Sequence, residues 1–206
     1  MRIGELSGRT GVPVPTIKYY LREGLLPAGE LTCPNQAQYG ERHVRRLKLV
    51  RALLETGGLS IAATQEVVAA IDTPAASLHS TLGIARRAVT PPATGCAGPH
   101  WRQALREADD WVRLRGWQVE PGGPAHASLA QVLLTLRELG QEDLLGLLDA
   151  YATAAELLAA AELAVVGHRA DPDQRAEGAV LGTVLGDTLL ATLRRLAQED
   201  ASRQLA

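Results

Sequence analysis

The sequence predicts an all-α protein with one small β wing: an N-terminal helix-turn-helix unit followed by a C-terminal helical bundle. Three observations carry that reading. Of 206 residues, 46% are hydrophobic but only 3% aromatic, with no Phe; the cores must be built from Ala and Leu, which favour helices. Apolar residues recur three and four apart through most of the chain. Strand-like alternation is convincing only in a short Gly/Pro-bounded stretch near the N-terminus.

The elements follow in order. Glu5 to Thr10 reads as a first helix closed by Gly11. Val12 and Pro13 make a tight turn, and Pro15 suits the first turn of a second helix, Pro-Thr-Ile-Lys-Tyr-Tyr-Leu-Arg-Glu, that runs to Gly24. Leu25-Leu26-Pro27 opens an extended arm that turns at Gly29, Pro34 and Asn35 and returns through Gln36–Tyr39. From Glu41 to Thr56, Val44, Leu47, Val50, Leu53 and Leu54 share one helical face. Gly57-Gly58 break that helix, and Ser60 caps a fourth over Ile61–Ile71. A further amphipathic stretch starts at Pro74, residues 90–99 form a linker, and His100–Arg115 carries an apolar stripe. Pro121-Gly122-Gly123-Pro124 ends that unit, and helices are expected over 128–139, 141–168 and 172–203. The expected domains are 1–71, a winged helix-turn-helix; 72–127, connecting helices and linker; and 128–206, a helical dimerisation or effector domain.

Charge and composition exclude several classes. Residues 1–56 hold nine Lys/Arg and five Asp/Glu, a net of +4, and the remainder carries −6. A basic head on an acidic body suits binding to phosphates, which release counterions from cationic side chains. No uncharged apolar run of about 18 residues occurs, so no membrane span is expected. The N-terminus lacks an apolar signal core, so no secretion and a cytoplasmic location are expected. Two cysteines make no disulfide framework, and Cys96-x3-His100 reads as linker rather than a metal site. No metal and no cofactor are expected. The five His are scattered, His43 being read as a surface or phosphate-side group rather than a base, and no phosphate loop, convincing carboxylate pair or nucleophile motif appears; the chain is not expected to be an enzyme.

Function concentrates in the second helix. At about 100° per residue, Pro15, Thr16, Lys18, Tyr19 and Arg22 fall on one side, Ile17 and Leu21 opposite, and Tyr20 at the border. An apolar back that anchors a face of cations, hydroxyl and phenol is what a major-groove reader requires. The stretch Ile-Gly-Glu-Leu-Ser-Gly-Arg-Thr-Gly-Val-Pro-Val-Pro-Thr-Ile-Lys-Tyr-Tyr-Leu-Arg-Glu-Gly-Leu-Leu-Pro, an arm ending Gln38-Tyr39 and a helix beginning Glu-Arg-His-Val resemble the mercury-resistance-regulator (MerR) family over roughly residues 1–71. The resemblance implies a winged helix-turn-helix dimer on double-stranded promoter DNA with a two-fold operator. It implies activation by bending and untwisting that DNA, so that RNA polymerase is served indirectly. By position it implies that Lys18 stands where the family has a contacting Arg, that Thr16, Tyr19 and Tyr20 belong to the recognition helix, and that Tyr39 ends the wing. Gly58 and Ser60 then open a second wing whose helix amides can hold a phosphate. Tyr20 and Tyr39 also suit core packing.

Departures from the family are visible. Asn35, Gln36 and Ala37 replace its usual Gly-Tyr-Arg, leaving Gln36 and Gln38 as substitute wing contacts. Pro74, Gly83 and the 90–99 loop interrupt the long coiled-coil helix, and no Cys lies between 34 and 95, against a metal sensor. In place of that coiled coil, Gly178, Gly182 and Gly186, four residues apart and flanked by Leu185 and Leu189, mark a close-approach ridge for a homodimer, with packing inside one chain as the alternative. Trp101, Trp111, Trp117 and Tyr151 are candidates to line a pocket for a small apolar effector or simply to pack. The expected function is a sequence-specific, dimeric transcriptional activator. A ligand-sensing helical repressor, or an interaction adaptor without specific DNA binding, is the alternative.

Overall fold

The computed structural model describes residues 1–33, 36–73, 77–90, 93 and 97–204, with only the backbone at 32 and 33. Its all-α architecture with a two-stranded wing matches the expected class. The chain divides into two compact units, Met1–Ala88 with Arg169–Ala206, and Val89–His168.

The first unit begins with α1 (Ile3–Thr10) and α2 (Val14–Arg22). Glu5 accepts the Arg2 N–H at 2.7 Å and so starts α1. Gly11, at φ 69°, ends it with a conformation that a β-carbon would strain. Then come β1 (Glu30–Cys33) and β2 (Gln36–Gln38), antiparallel, with Glu30 opposite Gln38 and Leu31 opposite Ala37. Gly29 lies so near the return strand that a β-carbon there would stand 2.7 Å from the Gln38 carbonyl oxygen. α3 (Glu41–Arg51) runs into one π-helical turn, Ala52–Thr56, and α4 (Ile61–Asp72) starts at Ser60, whose Oγ accepts the Ala63 N–H at 3.1 Å. α5 spans Leu78–Val89. Leu6, Ile17, Leu25, Leu26, Leu47, Val50, Leu53 and Val67 form the fully buried core. Each such side chain stabilises the fold by about 1.5–3 kcal/mol.

The second unit holds α6 (Gly98–Leu114), α7 (Pro124–Glu138), a 3₁₀ stretch (Glu142–Leu147) and α8 (Leu148–Gly167). Ala104 and Ala108 of α6 meet Ala130 and Leu133 of α7, with Trp101, Leu105, Leu129 and Leu134 around them. Small side chains at the seam let the helices approach closely, as the Ala-rich composition implies. α7 begins four residues before the expected 128, because Pro124 supplies its first turn.

α9 (Pro172–Arg203) is the principal difference from the expected organisation. Periodicity places 128–206 in one C-terminal domain, whereas the contacts group α9 with the N-terminal unit, against the π-helical turn and α4. The reason is local. Val180 and Val184 of α9 are buried, and Val184 Cγ1 occupies the space a β-carbon on Gly57 would need. The Thr188 hydroxyl adds a bond to the Thr56 carbonyl at 3.4 Å. Glu142–Gly167 and α9 are long and apolar enough to cross a membrane by length and composition alone, although no uncharged run of that length exists.

Candidate nucleic-acid interface

α2 is fixed from behind and open in front. Ile17 is fully buried, as are Leu6 and Leu47 of the core, and Tyr20 is buried at the border between faces. The turn before it is locked by the Ser7 hydroxyl, which donates to the Val12 carbonyl at 2.6 Å, and by Arg51, which donates to the Thr10 carbonyl at 3.3 Å. At its far end Gln65 of α4 donates to the Glu23 carbonyl at 2.8 Å. On the open side Lys18 and Arg22 are exposed, and Thr16 and Tyr19 are half-buried. The Arg22 guanidinium lies 6.0 Å from the Tyr19 ring centroid, so ring and cation hold each other in place. Burial, and then the Glu55 carboxylate, raise the Tyr20 phenol above its ordinary pKa, so the ring serves the core as a neutral group.

The cations of α1, α2 and α3 divide into two sets. Arg9 pairs with Glu41, Arg42 with Glu30 at 3.6 Å, Arg46 with Asp72, and Arg51 with Glu55 at 2.8 Å. Lys18, Arg22, Arg45 and Lys48 make no ion pair among the described residues. Arg45 also lines a cleft of about 490 Å³ with Arg42 and Arg46 of α3 and with Asp171, Asp173 and Glu177 at the start of α9.

The wing stands on the N-terminus. The Met1 ammonium donates to the Tyr39 carbonyl at 2.9 Å, and the Tyr39 N–H returns a bond of 2.9 Å to the Met1 carbonyl. Gln36 and Gln38 are exposed on β2, and Arg2 donates to Gln36 Oε1 at 3.3 Å. Tyr39 is buried, its ring edge-to-face with His43 at 5.2 Å. His43 corrects the surface reading, for it is 1% exposed. Its Nδ1 accepts the Gly40 N–H at 2.9 Å, which leaves the Nε2 hydrogen for the Ala28 carbonyl at 3.4 Å. Its place in the polar run Glu-Arg-His-Val gave no sign of this. Gly58 and Ser60 are exposed together at the start of α4, Gly58 at φ 68°. Asn35 and Cys96 lie outside the described residues.

The ridge on α9 divides in two. Gly178 is buried under the guanidinium of Arg169, whereas nothing lies within 4 Å of a β-carbon built on Gly182. Leu185 and Gly186 are half-buried and Leu189 is 60% exposed. At about 100° per residue, Gly182, Gly186, Leu189, Leu193 and Leu196 stay within roughly 40° of one line, on the side of α9 opposite Val180 and Val184. Their alternate spacing of four and three is that of a coiled-coil seam. Leu193 and Leu196, more than half exposed, extend the seam beyond the residues expected from the glycine spacing. In the second unit Trp111 and Trp117 meet edge-to-face at 5.6 Å, while Trp101 packs on the α6–α7 core.

Comparison with known proteins finds relatives of the N-terminal segment and a solved structure similar over the whole chain. The family described as MerR HTH family regulatory protein matches residues 1–71. Over 56 residues the chain is 45% identical to nodulation protein NolA of Bradyrhizobium sp. (strain NC92), a match covering 27% of this chain and 24% of that protein. Over 56 residues it is 41% identical to the mercuric resistance operon regulatory protein of Bacillus cereus, covering 27% and 42%. The match thus spans from about a quarter to two fifths of these curated relatives. A crystal structure of SCO5550 from Streptomyces coelicolor A3(2), described as a transcriptional regulator, superposes with a TM-score of 0.69 at 34% identity, covering 99% of this chain and 97% of that one.

Proposed function

The chain belongs to the MerR family of helix-turn-helix regulatory proteins, and from that premise we propose that it is a dimeric, DNA-binding transcriptional regulator that activates by distorting promoter DNA. The observation that carries the reading is α2: a helix locked at both ends, buried along Ile17 and Tyr20, that presents Lys18, Tyr19 and Arg22 outward with no ion pair on either cation among the described residues. A cation already paired with a carboxylate has little to offer a phosphate, whereas Lys18 and Arg22 are available to the duplex. Gln36 and Gln38 on the wing and the amides following Gly58 and Ser60 would then bind backbone on either side, contacts that position the protein rather than specify sequence.

A two-fold operator requires two copies. The seam of Gly182, Gly186, Leu189, Leu193 and Leu196 supplies their contact: it is apolar, exposed along its three leucines and turned away from the face with which α9 docks on its own head. Leu185 borders that seam, and Gly178, covered by Arg169, lies at its end. In this reading one helix both grips the head and joins the partner, so a change in the dimer reaches the reading helices through α9. RNA polymerase gains indirectly, from the altered path of the DNA. The protein acts in the cytoplasm, where promoters are, and the regulator needs no catalytic chemistry of its own. Retention of labelled promoter fragments in a gel at rising salt tests the reading. A steep fall in affinity with salt and a preferred fragment support it, and salt-insensitive or fragment-blind binding contradicts it.

A further inference from the structure

We propose that residues 89–168 hold a binding site for a small organic cation, a protonated amine on a flat apolar body, in the cleft between the end of α6 and the start of α7. The cleft has a volume of about 670 Å³, and its lining includes Asp109, Val112, Trp117, Val119 and His126. That volume is in the range of small-molecule sites.

One polar atom of its described lining is unsatisfied. Asp109 Oδ1 is buried and has no hydrogen-bond partner. The His126 side chain is 7% exposed, and its Nε2 stands 3.6 Å from that oxygen, beyond hydrogen-bonding distance. Buried polar atoms are nearly always paired, and a ligand that brings a donor to Asp109 supplies the partner this oxygen lacks.

The sign of the ligand follows from the surrounding charges. Arg113, which also lines the cleft, is paired with Asp110. Arg115 is held by Glu156 at 3.0 Å and Asp149 at 3.4 Å. Asp109 is left without a cationic Lys or Arg partner among the described residues. The whole segment has five Arg and no Lys against ten Asp/Glu, so its field favours a cation.

The apolar part of the ligand has a prepared surface. Val112, Val119 and Pro121 line the cleft beside Trp117. The Trp117 ring is fixed, since it abuts Trp111 edge-to-face and its Nε1 hydrogen goes to Glu156 at 2.8 Å. A ring held in advance binds a flat body or a cation at little ordering cost.

The test uses the full chain and no DNA, so its failure leaves the regulator reading standing, and the reverse holds. The three Trp give three indole N–H resonances, and the one lost in Trp117→Phe belongs to Trp117. 2-Phenylethylamine should shift that resonance saturably, and calorimetry should show 2-phenylethanol at least about ten-fold weaker and phenylacetate weaker again. Asp109→Asn should weaken the amine at least about ten-fold and leave the alcohol unchanged. Should that variant lose its fold by circular dichroism, Val119→Lys, at a half-exposed position, should abolish amine binding with the fold intact. Equal affinity for amine and alcohol, no saturable shift of the Trp117 indole, or amine binding indifferent to these substitutions would overturn the proposal.

Discussion

Val184 of α9 seats directly on Gly57, at the end of the π-helical turn that follows α3, in the space a β-carbon on that glycine would fill. A β-carbon at 57 would also stand 2.8 Å from the Leu53 carbonyl oxygen, so neither side of the contact has room to give. Gly57→Ala should therefore cost about 1–3 kcal/mol by overpacking. Urea unfolding reads the loss, and amide exchange should quicken in α9 before it does in α2. Unchanged stability would mean that α9 is not held at this point.

Lys18 and Ile17 are chain neighbours with opposite roles. Lys18→Ala should weaken binding to any duplex and lower the slope of log affinity against log salt by about one unit, without altering the unfolding midpoint. Ile17→Ala empties a fully buried site and should cost about 2–5 kcal/mol of stability. Parallel titrations and denaturation curves distinguish the two, and a Lys18→Ala protein with native affinity contradicts the role assigned to α2.

Leu189 and Leu193 test the dimer seam without disturbing the head, because both are exposed in a single chain. Leu189→Asp with Leu193→Asp should yield monomers in sedimentation at concentrations where the wild type is dimeric. Gly182→Leu with Gly186→Leu should act in the same direction by holding the helices apart. Dimers that survive both pairs would place the interface elsewhere.

Glu156 gives a pH signature. Its carboxyl is held below the ordinary carboxylate range, first by the hydrogen bond from Arg115 and then by that from Trp117. A group lowered in the folded state contributes stability that is complete above its unfolded pKa and is lost as pH falls through its folded value. Trp117 emission should therefore change on acidification below the ordinary carboxylate range. Glu156→Gln should abolish that step, and a step that persists in the variant assigns it to another group.

Much of the head was legible because its signals are short-range. The Gly11 stop, Pro15 in the first helical turn and the two faces of α2 all lie within a few residues of one another, where periodicity and capping act. α9 was legible as a helix but not in its placement, since nothing near Val184 announces that its partner is Gly57. His43 hid its burial among charged neighbours; only the wing folding back over α3 gives it Ala28 and Gly40 as partners. The approach of His126 to Asp109 depends on the register between α6 and α7, which the Ala seam sets and no local pattern reports.

A footprint on the promoter regions flanking the protein's own coding sequence tests the central claim most directly. Wild-type protein should protect two half-sites related by two-fold symmetry, with two chains bound per site, and Lys18→Ala should lose both together. Protection of one half-site by a single chain, or no protected sequence at salt concentrations where general DNA binding persists, would contradict it.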